Sequence, residues 1–357
     1  MLAAFFICWL LMAIQGQDPA LPVEKPMNII LVIGDGMGLA HISLTEYLYK
    51  PPSPIARMEM IGLQKTHSSN NLETDSGASA TALSCGVKTF NSAIGMGPDS
   101  IPVTSIMELA MAKGLKTGFV VTSSVVHATP AAFYAHVGSR GSYEEIAKHL
   151  SFSGIDVFVG GGEKYFYNRN IDQKNLITVL KESNYEVIRH LDGAGKFKLD
   201  KIDKEKKIAC FTAFEDPPRA SNGRKYLSDM VLRAKEALEK RSDNGYFLMI
   251  EASQIDWAAH ANDQDWLAHE MQDTYHMLEE LLAHIGNDEK TLVIITADHE
   301  CGYISIQGKR TPRVVFGSKV HSSQMVPVFA KGPGSEEFLG IYENTEIFEK
   351  MVRLLDL

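Results

Sequence analysis

The run NIILVI at Asn28–Ile33 decides the fold, because it is apolar and branched after its first residue and passes at once into the glycine-rich turn Gly34-Asp35-Gly36-Met37-Gly38. A continuous apolar run of this length, closed by glycine, is the pattern of a strand covered on both faces. Comparable runs recur at Thr117–Val121, Asp156–Val159, Tyr246–Ile250, Thr291–Thr296 and Val326–Ala330. Helical spacing lies between them: Leu227, Met230, Val231, Ala234 and Leu238 share one face, as do Leu267, Met271, Tyr275, Leu278 and Leu282. Strands alternating with helices predict an α/β fold, a largely parallel central sheet with helices on both faces, in a single domain.

The chain has 357 residues, 45% hydrophobic and 22% charged, which is globular usage and argues against disorder. A net charge of −9 disfavours nucleic acid or an acidic membrane surface as the main partner, and no nucleic-acid-binding domain is expected. An anionic substrate would need a local positive charge, which a metal cluster supplies. Leu2–Ile14 is an apolar run too short for a bilayer span and suited to the core of a signal peptide, with Gly16 as a cleavage residue. Residues 1–17 therefore read as a signal peptide, 18–26 as a proline-bearing arm and 27–357 as the folded domain. The expected location is secreted or periplasmic; no basic residue precedes the core, and an uncleaved anchor is the alternative. Beyond the leader, Cys85, Cys210 and Cys301 are too few and too scattered for a disulfide framework or a CxxC zinc site, though one disulfide stays open. Lys196–Lys207 reads as a solvated surface loop, and 160–225 as the least regular segment.

In an open parallel sheet, functional groups gather beyond the carboxyl ends of the strands. The turn after the first run is G-x-G-x-G, not the dinucleotide G-x-G-x-x-G, and Asp35 would repel a pyrophosphate. A carboxylate held close by glycines suits a metal ligand, and a plain tight turn is the alternative. In Thr74-Asp75-Ser76-Gly77-Ala78-Ser79-Ala80-Thr81-Ala82, the small residues predict a closely packed helix with Ser76 near its start, where free amides favour an oxyanion. The blander reading makes Asp75 or Ser76 an N-cap. The segment is not the G-x-S-x-G elbow, so the serine needs an activator other than histidine.

Candidate activators follow. The Tyr246–Ile250 run ends at Glu251, and Asp256 and His260 lie one helical turn apart. The Thr291–Thr296 run ends in Asp298-His299, and His321 precedes the last strand run. Carboxylates with imidazoles suit Zn²⁺, and carboxylates with hydroxyls suit Mg²⁺. After Thr117–Val121 come His127, Thr129, which can offer a hydroxyl to a hard cation, and Arg140, whose fork can hold two phosphoryl oxygens. The other eight histidines, including His269 and His276 two turns apart, read as surface or core residues.

Together these segments closely resemble the alkaline phosphatase family. The matching strings are IGDGMG at Ile33–Gly38, TDSGASATALSCGVKT at Thr74–Thr89, HATPAAFYAHVGSR at His127–Arg140, EASQIDWAAH at Glu251–His260, TADHE at Thr296–Glu300 and the segment around His321. Order and spacing agree from about residue 27 to about 350, most loosely over 160–225. The resemblance implies two zinc ions and one magnesium ion. Asp256, His260 and His321 would hold one zinc; Asp35, Asp298, His299 and the Ser76 oxygen the other; Asp35, Thr129 and Glu251 the magnesium. Ser76 would be the nucleophile, forming a phosphoserine, with Arg140 clamping the phosphoryl group and Asp75 orienting Arg140. Small phosphate monoesters would be the substrates, and a homodimer is implied by the resemblance alone. Zinc acidifies a bound hydroxyl, which removes the need for a histidine base, and paired ions suit an in-line displacement.

Two positions depart from enterobacterial members: His127 stands for aspartate, as in animal members, and Trp257 stands for lysine. The first leaves the identity of the third ion open, and the second replaces a phosphate contact with a ring that can pack against the site or a leaving group. The short His299–His321 interval excludes the large lid of some members, predicting an open site with broad leaving-group tolerance. Two other functions are disfavoured. Sulfate-ester or diester cleavage is disfavoured because Cys85-Gly86-Val87-Lys88 lacks the C-x-P-x-R pattern and Arg140 favours monoesters. A phosphate- or zinc-binding protein without turnover is disfavoured because every expected position is filled.

Overall fold

The structure is a computed structural model that describes residues 25–49, 53–167, 169–190 and 203–357. The expected signal peptide (1–17), most of the arm (18–26) and most of Lys196–Lys207 lie outside the described residues.

The Asn28–Ile33 run becomes β1 (Asn28–Gly34), fully buried along its length. Successive side chains of a strand point to opposite faces, so Ile29, Leu31 and Ile33 enter one apolar core and Ile30 and Val32 the other. Its neighbours β7 (Tyr246–Ala252) and β8 (Thr291–Ala297) both run parallel to it and divide their side chains the same way. The helices Leu227–Glu239 and Gln264–Ile285 cover one core with the apolar faces read from the sequence. Ser76–Cys85, Ile106–Ala112, Tyr143–Ser153 and Thr345–Leu355 cover the other.

Among the described residues the central sheet has ten strands. The remaining members are β2 (Met60–Lys65), β3 (Lys116–Ser124), β4 (Val157–Gly161), β5 (Tyr185–Ile188), β6 (Lys207–Phe211), β13 (Val326–Lys331) and β14 (Gly340–Glu343). The order across the sheet is β14-β2-β13-β8-β1-β7-β3-β4-β6-β5. Only β13 is reversed, antiparallel to both β8 and β2. The reason lies in the connection. A parallel return needs a crossover, usually a helix. Here the chain stays above the carboxyl end of β8, forming β9 (Glu300–Cys301) paired with β12 (His321–Ser322), and β10 (Ile304–Gln307) paired with β11 (Arg313–Phe316). It then re-enters the sheet from the end it left.

All six strand runs expected from the sequence form. Four members of the sheet escape that reading: β2, β5 and β14 are only partly buried and polar residues interrupt them, and β6 carries only the four-residue apolar run Ile208–Phe211. Segment 160–225 supplies the two short strands β5 and β6. Val326–Ala330 is not the last strand, because β14 follows it and pairs with β2.

Candidate metal centre

The four central strands β8, β1, β7 and β3 deliver their carboxyl ends side by side. Asp35 follows β1, His127 and Thr129 follow β3, Glu251 sits within β7, and Asp298-His299 follows β8. Gly36 is needed in the first turn: its φ is +74°, and a Cβ there would come 2.9 Å from the Asp256 Cα. The missing side chain lets the Asp256 backbone close over the turn.

Asp256 and His260 lie one turn apart on the helix Gln254–His260, and β12 brings His321 to them. His260 Nε2 lies 3.2 Å from Asp256 Oδ2, His321 Nε2 lies 3.4 Å from Asp256 Oδ1, and the two Nε2 atoms are 3.0 Å apart. Each ring is pinned from behind, His260 Nδ1 by the Lys319 carbonyl at 2.6 Å and His321 Nδ1 by the Thr74 carbonyl at 2.8 Å. A neutral ring held this way carries its proton on Nδ1 and turns the Nε2 lone pair inward, the arrangement of a metal-ligating histidine.

Next to this triad, His299 Nε2 lies 3.2 Å from Asp298 Oδ2, 3.5 Å from Asp35 Oδ1 and 3.4 Å from Ser76 Oγ. Asp298 Oδ1 is held by the amides of Gly36 and His299 at 3.0 and 2.9 Å, leaving Oδ2 for the cluster. On the other side of Asp35, one ligand atom each from Asp35, His127 and Glu251 falls within 4.8 Å of the others. Thr129 lies against Glu251, and Ser123 Oγ donates to Glu251 Oε2 at 3.2 Å.

The donor set fits divalent cations. Four carboxylates, Asp35, Glu251, Asp256 and Asp298, are buried together. Both Asp35 oxygens, Asp256 Oδ1, Asp298 Oδ2, Glu251 Oε1, Thr129 Oγ1 and His127 Nδ1 have no hydrogen-bond partner. Such burial is costly unless cations compensate it. Burial, reinforced by Asp298, Asp256 and Glu251, pushes the Asp35 pKa well above the carboxylate range. Burial likewise raises Glu251 to about 7 and, with Asp256 contributing, Asp298 to about 6. For Asp256 burial acts in the same direction but is outweighed by the His260, His321 and His299 rings that face it, which hold it well below its usual value. Burial lowers His127 to about 3 and drives His299 well down, so both rings are neutral and offer lone pairs. Imidazole with carboxylate suits zinc, and carboxylate with hydroxyl suits magnesium.

Ser76 is the first residue of the helix Ser76–Cys85, whose ten residues are all buried. Both readings of Asp75 hold at once: Oδ1 caps the helix by accepting from the Ala78 amide at 3.0 Å, and Oδ2 accepts from Arg140 Nη1 at 2.9 Å. Trp257 meets His127 edge-on, with ring centroids 5.6 Å apart, so it packs against the site. A cleft of about 260 Å³ opens beside the triad, lined by Asn71, Glu73, Thr74, Asp75, Asn91, His260, Val320 and His321. A larger hollow of about 780 Å³ lies at the opposite end of β8, around Met60, Leu282 and Lys331, and has no part in this site.

All thirteen residues singled out in the sequence thus lie around one centre. None of the eight histidines set aside joins a metal-type cluster among the described residues. His41 is a core residue whose Nδ1 accepts from the Gly38 amide at 3.2 Å. The sequence reading missed Ser123, which holds Glu251, and Cys301, whose sulfur lies among the ligand atoms of the triad. Proximity of Cys301 to Asp298-His299 was the available signal. The three cysteines are free, so no disulfide forms among the described residues.

The family model for alkaline phosphatase matches residues 26–319. Alkaline phosphatase 3 of Bacillus subtilis (strain 168) is 30% identical, with 93% of this chain and 89% of that protein covered. Alkaline phosphatase 4 of the same strain is 32% identical over 92% of this chain and 74% of its own. Among solved structures, the alkaline phosphatase of the Antarctic bacterium TAB5 superposes with a TM-score of 0.88 at 40% identity, covering 93% of this chain and 99% of that one. A histidine-to-glutamate variant of the TAB5 enzyme, with Mg bound in its M3 site, gives 0.89 at 40% identity over 94% and 99%. The chain therefore belongs to the alkaline phosphatase family, and it is a phosphatase of phosphate monoesters.

Proposed function

We propose that the protein is a zinc- and magnesium-dependent phosphomonoesterase that works through a phosphoserine on Ser76. The observation that carries this reading is the group of partnerless buried carboxylate oxygens beside the Ser76 hydroxyl. Asp256, His260 and His321 would hold one zinc, Asp35, Asp298, His299 and Ser76 the second, and Asp35, Thr129 and Glu251 a magnesium. The magnesium in the TAB5 variant supports that element as one of the ions. Bound divalent ions supply Lewis-acid chemistry, acidifying a serine hydroxyl and offsetting charge on reacting oxygens.

The protein's own groups position the substrate. Arg140, aimed by Asp75, holds two phosphoryl oxygens with its planar fork. Ser76 Oγ attacks phosphorus in line and loses its proton. The P–O bond to the alcohol breaks on the side of the His260–His321 cleft, and the alkoxide takes up a proton as it leaves. Water then attacks the phosphoserine from that vacated side, restoring the Ser76 hydroxyl and releasing inorganic phosphate. Buried, preorganised donors stabilise the transition state because they need no reorganisation.

Export through the apolar leader and a homodimeric assembly complete the proposal, supported by the composition of Leu2–Ile14 and by the family resemblance. N-terminal sequencing of exported protein and light scattering test these two points. The decisive assay compares an aryl phosphate monoester with its methyl diester, using metal-loaded wild type and Ser76→Ala. Monoester turnover abolished by EDTA, restored by zinc with magnesium and lost in Ser76→Ala is expected. Preference for the diester, or equal turnover by both proteins, would overturn the reading.

A further inference from the structure

Cys301 is a buried thiol that the reaction above does not use, and it lies at the back of the Asp256–His260–His321 triad. In the β9–β12 pair Cys301 stands directly opposite His321. Opposed residues of an antiparallel pair project from the same face, so the sulfur and the imidazole share one side. Cys301 Sγ falls within 4.8 Å of the ligand atoms of Asp256, His260 and His321. The Cys301 amide donates to the Gly36 carbonyl at 3.1 Å, which ties β9 to the turn carrying Asp35.

Exposure orders these groups. The His260 side chain is 38% exposed and that of His321 15%, whereas Cys301 is fully buried. The imidazoles thus form the solvent-facing side of the cluster, and the sulfur lies on its buried side. Asp256 Oδ1, on a residue of the same cluster, is buried and has no hydrogen-bond partner. A thiol is a weak donor and a carboxylate oxygen a strong acceptor.

We propose that Cys301 is a positioning residue whose S–H donates to the Asp256 carboxylate, fixing its orientation so that Asp256 and the two imidazoles meet one ion. The inference rests on reading the triad as a metal site. It also defines what the sulfur does not do: a thiolate ligand would close the three-ligand site and take the position a reacting oxygen needs. Groups that orient a metal ligand in this way typically change metal affinity by about 10- to 100-fold when removed.

The test uses the full chain, stripped by chelation and titrated with Zn²⁺ against a chromophoric competitor, alongside Co²⁺ loading followed by absorption. Wild type is expected to bind zinc and, with Co²⁺, to show no thiolate-to-cobalt charge-transfer band in the near ultraviolet. Cys301→Ala should weaken one zinc site by about 10- to 100-fold. Cys301→Ser, which keeps a donor, should recover most of that loss. Cys210→Ala, a buried cysteine in β6, should leave zinc affinity unchanged. Unchanged affinity in Cys301→Ala overturns the proposal, as does a wild-type charge-transfer band that the substitution abolishes. Should Cys301→Ala fail to fold, the wild-type cobalt spectrum and the Cys301→Ser affinity decide the matter. If wild type takes up no divalent ion, the metal reading of the triad falls first and this inference with it.

Discussion

Asp75 Oδ2 accepts a hydrogen bond from Arg140 Nη1 at 2.9 Å, while Oδ1 of the same carboxylate accepts from the Ala78 and Ser92 amides, each at 3.0 Å. One side chain therefore starts the helix that carries Ser76 and orients the guanidinium beside it. Asp75→Ala is expected to cost about 1 kcal/mol through the lost cap. It should also raise KM for an aryl phosphate, as free Arg140 loses its aim. Arg140→Lys leaves the cap and should raise KM with little change in Tm. A lower Tm for Asp75→Ala at unchanged KM would show that the pairing does not serve binding.

Removing metal should make stability depend on pH in a defined direction. In the ion-free protein Glu251 is raised from 4.5 to about 7 and Asp298 from 3.8 to about 6, mainly by burial. The folded state then binds more protons than the unfolded one between those limits, so stability is highest below pH 4 for these groups and falls as pH rises to about 7. Thermal melts of chelated protein should show Tm falling over that window relative to the metal-loaded protein. Parallel curves for the two forms would contradict the grouping of these carboxylates around cations.

Gly36→Ala should damage the centre more than the fold. A left-handed backbone costs a residue with a Cβ about 1–2 kcal/mol, and the new carbon would press on Asp256 at 2.9 Å. Circular dichroism should remain that of the wild type while zinc affinity and turnover fall. Retained zinc affinity would mean that Asp256 tolerates displacement.

His127→Asp should strengthen magnesium binding. The buried imidazole is neutral and lies with Asp35 and Glu251, so a carboxylate there adds a charge to a hard-cation site. Calorimetric titration should show a higher Mg²⁺ affinity than that of the wild type. No gain would place the His127 side chain outside that site.

Much of this was legible in one dimension because burial on both faces leaves an unmistakable run. β1, β7 and β8 are apolar throughout and were read directly, and the reactive groups stand at or just beyond the ends of those runs. The strands β2, β5 and β14 were not, since partial burial lets polar residues interrupt them. Glu251 was read as following its strand, whereas it lies inside β7, because a buried acid breaks an apolar pattern without ending the strand. Cys301 is not legible as part of the site, because its place two residues after His299 does not say which side of β9 faces the triad.

The chemical inventory belongs to the sequence: a serine at the head of a small-residue helix, acids and imidazoles at strand ends, and an arginine downstream. Local order is enough for that, since capping, glycine turns and helical spacing act over a few residues. Which atoms meet was decided by the tertiary structure alone. His260 and His321 are 61 positions apart and Ser76 and His299 are 223 apart, and only the folded chain brings each pair within 3.4 Å. The physical reason is that long-range pairing is set by how whole sheets bury their faces, a property no local stretch of chain carries.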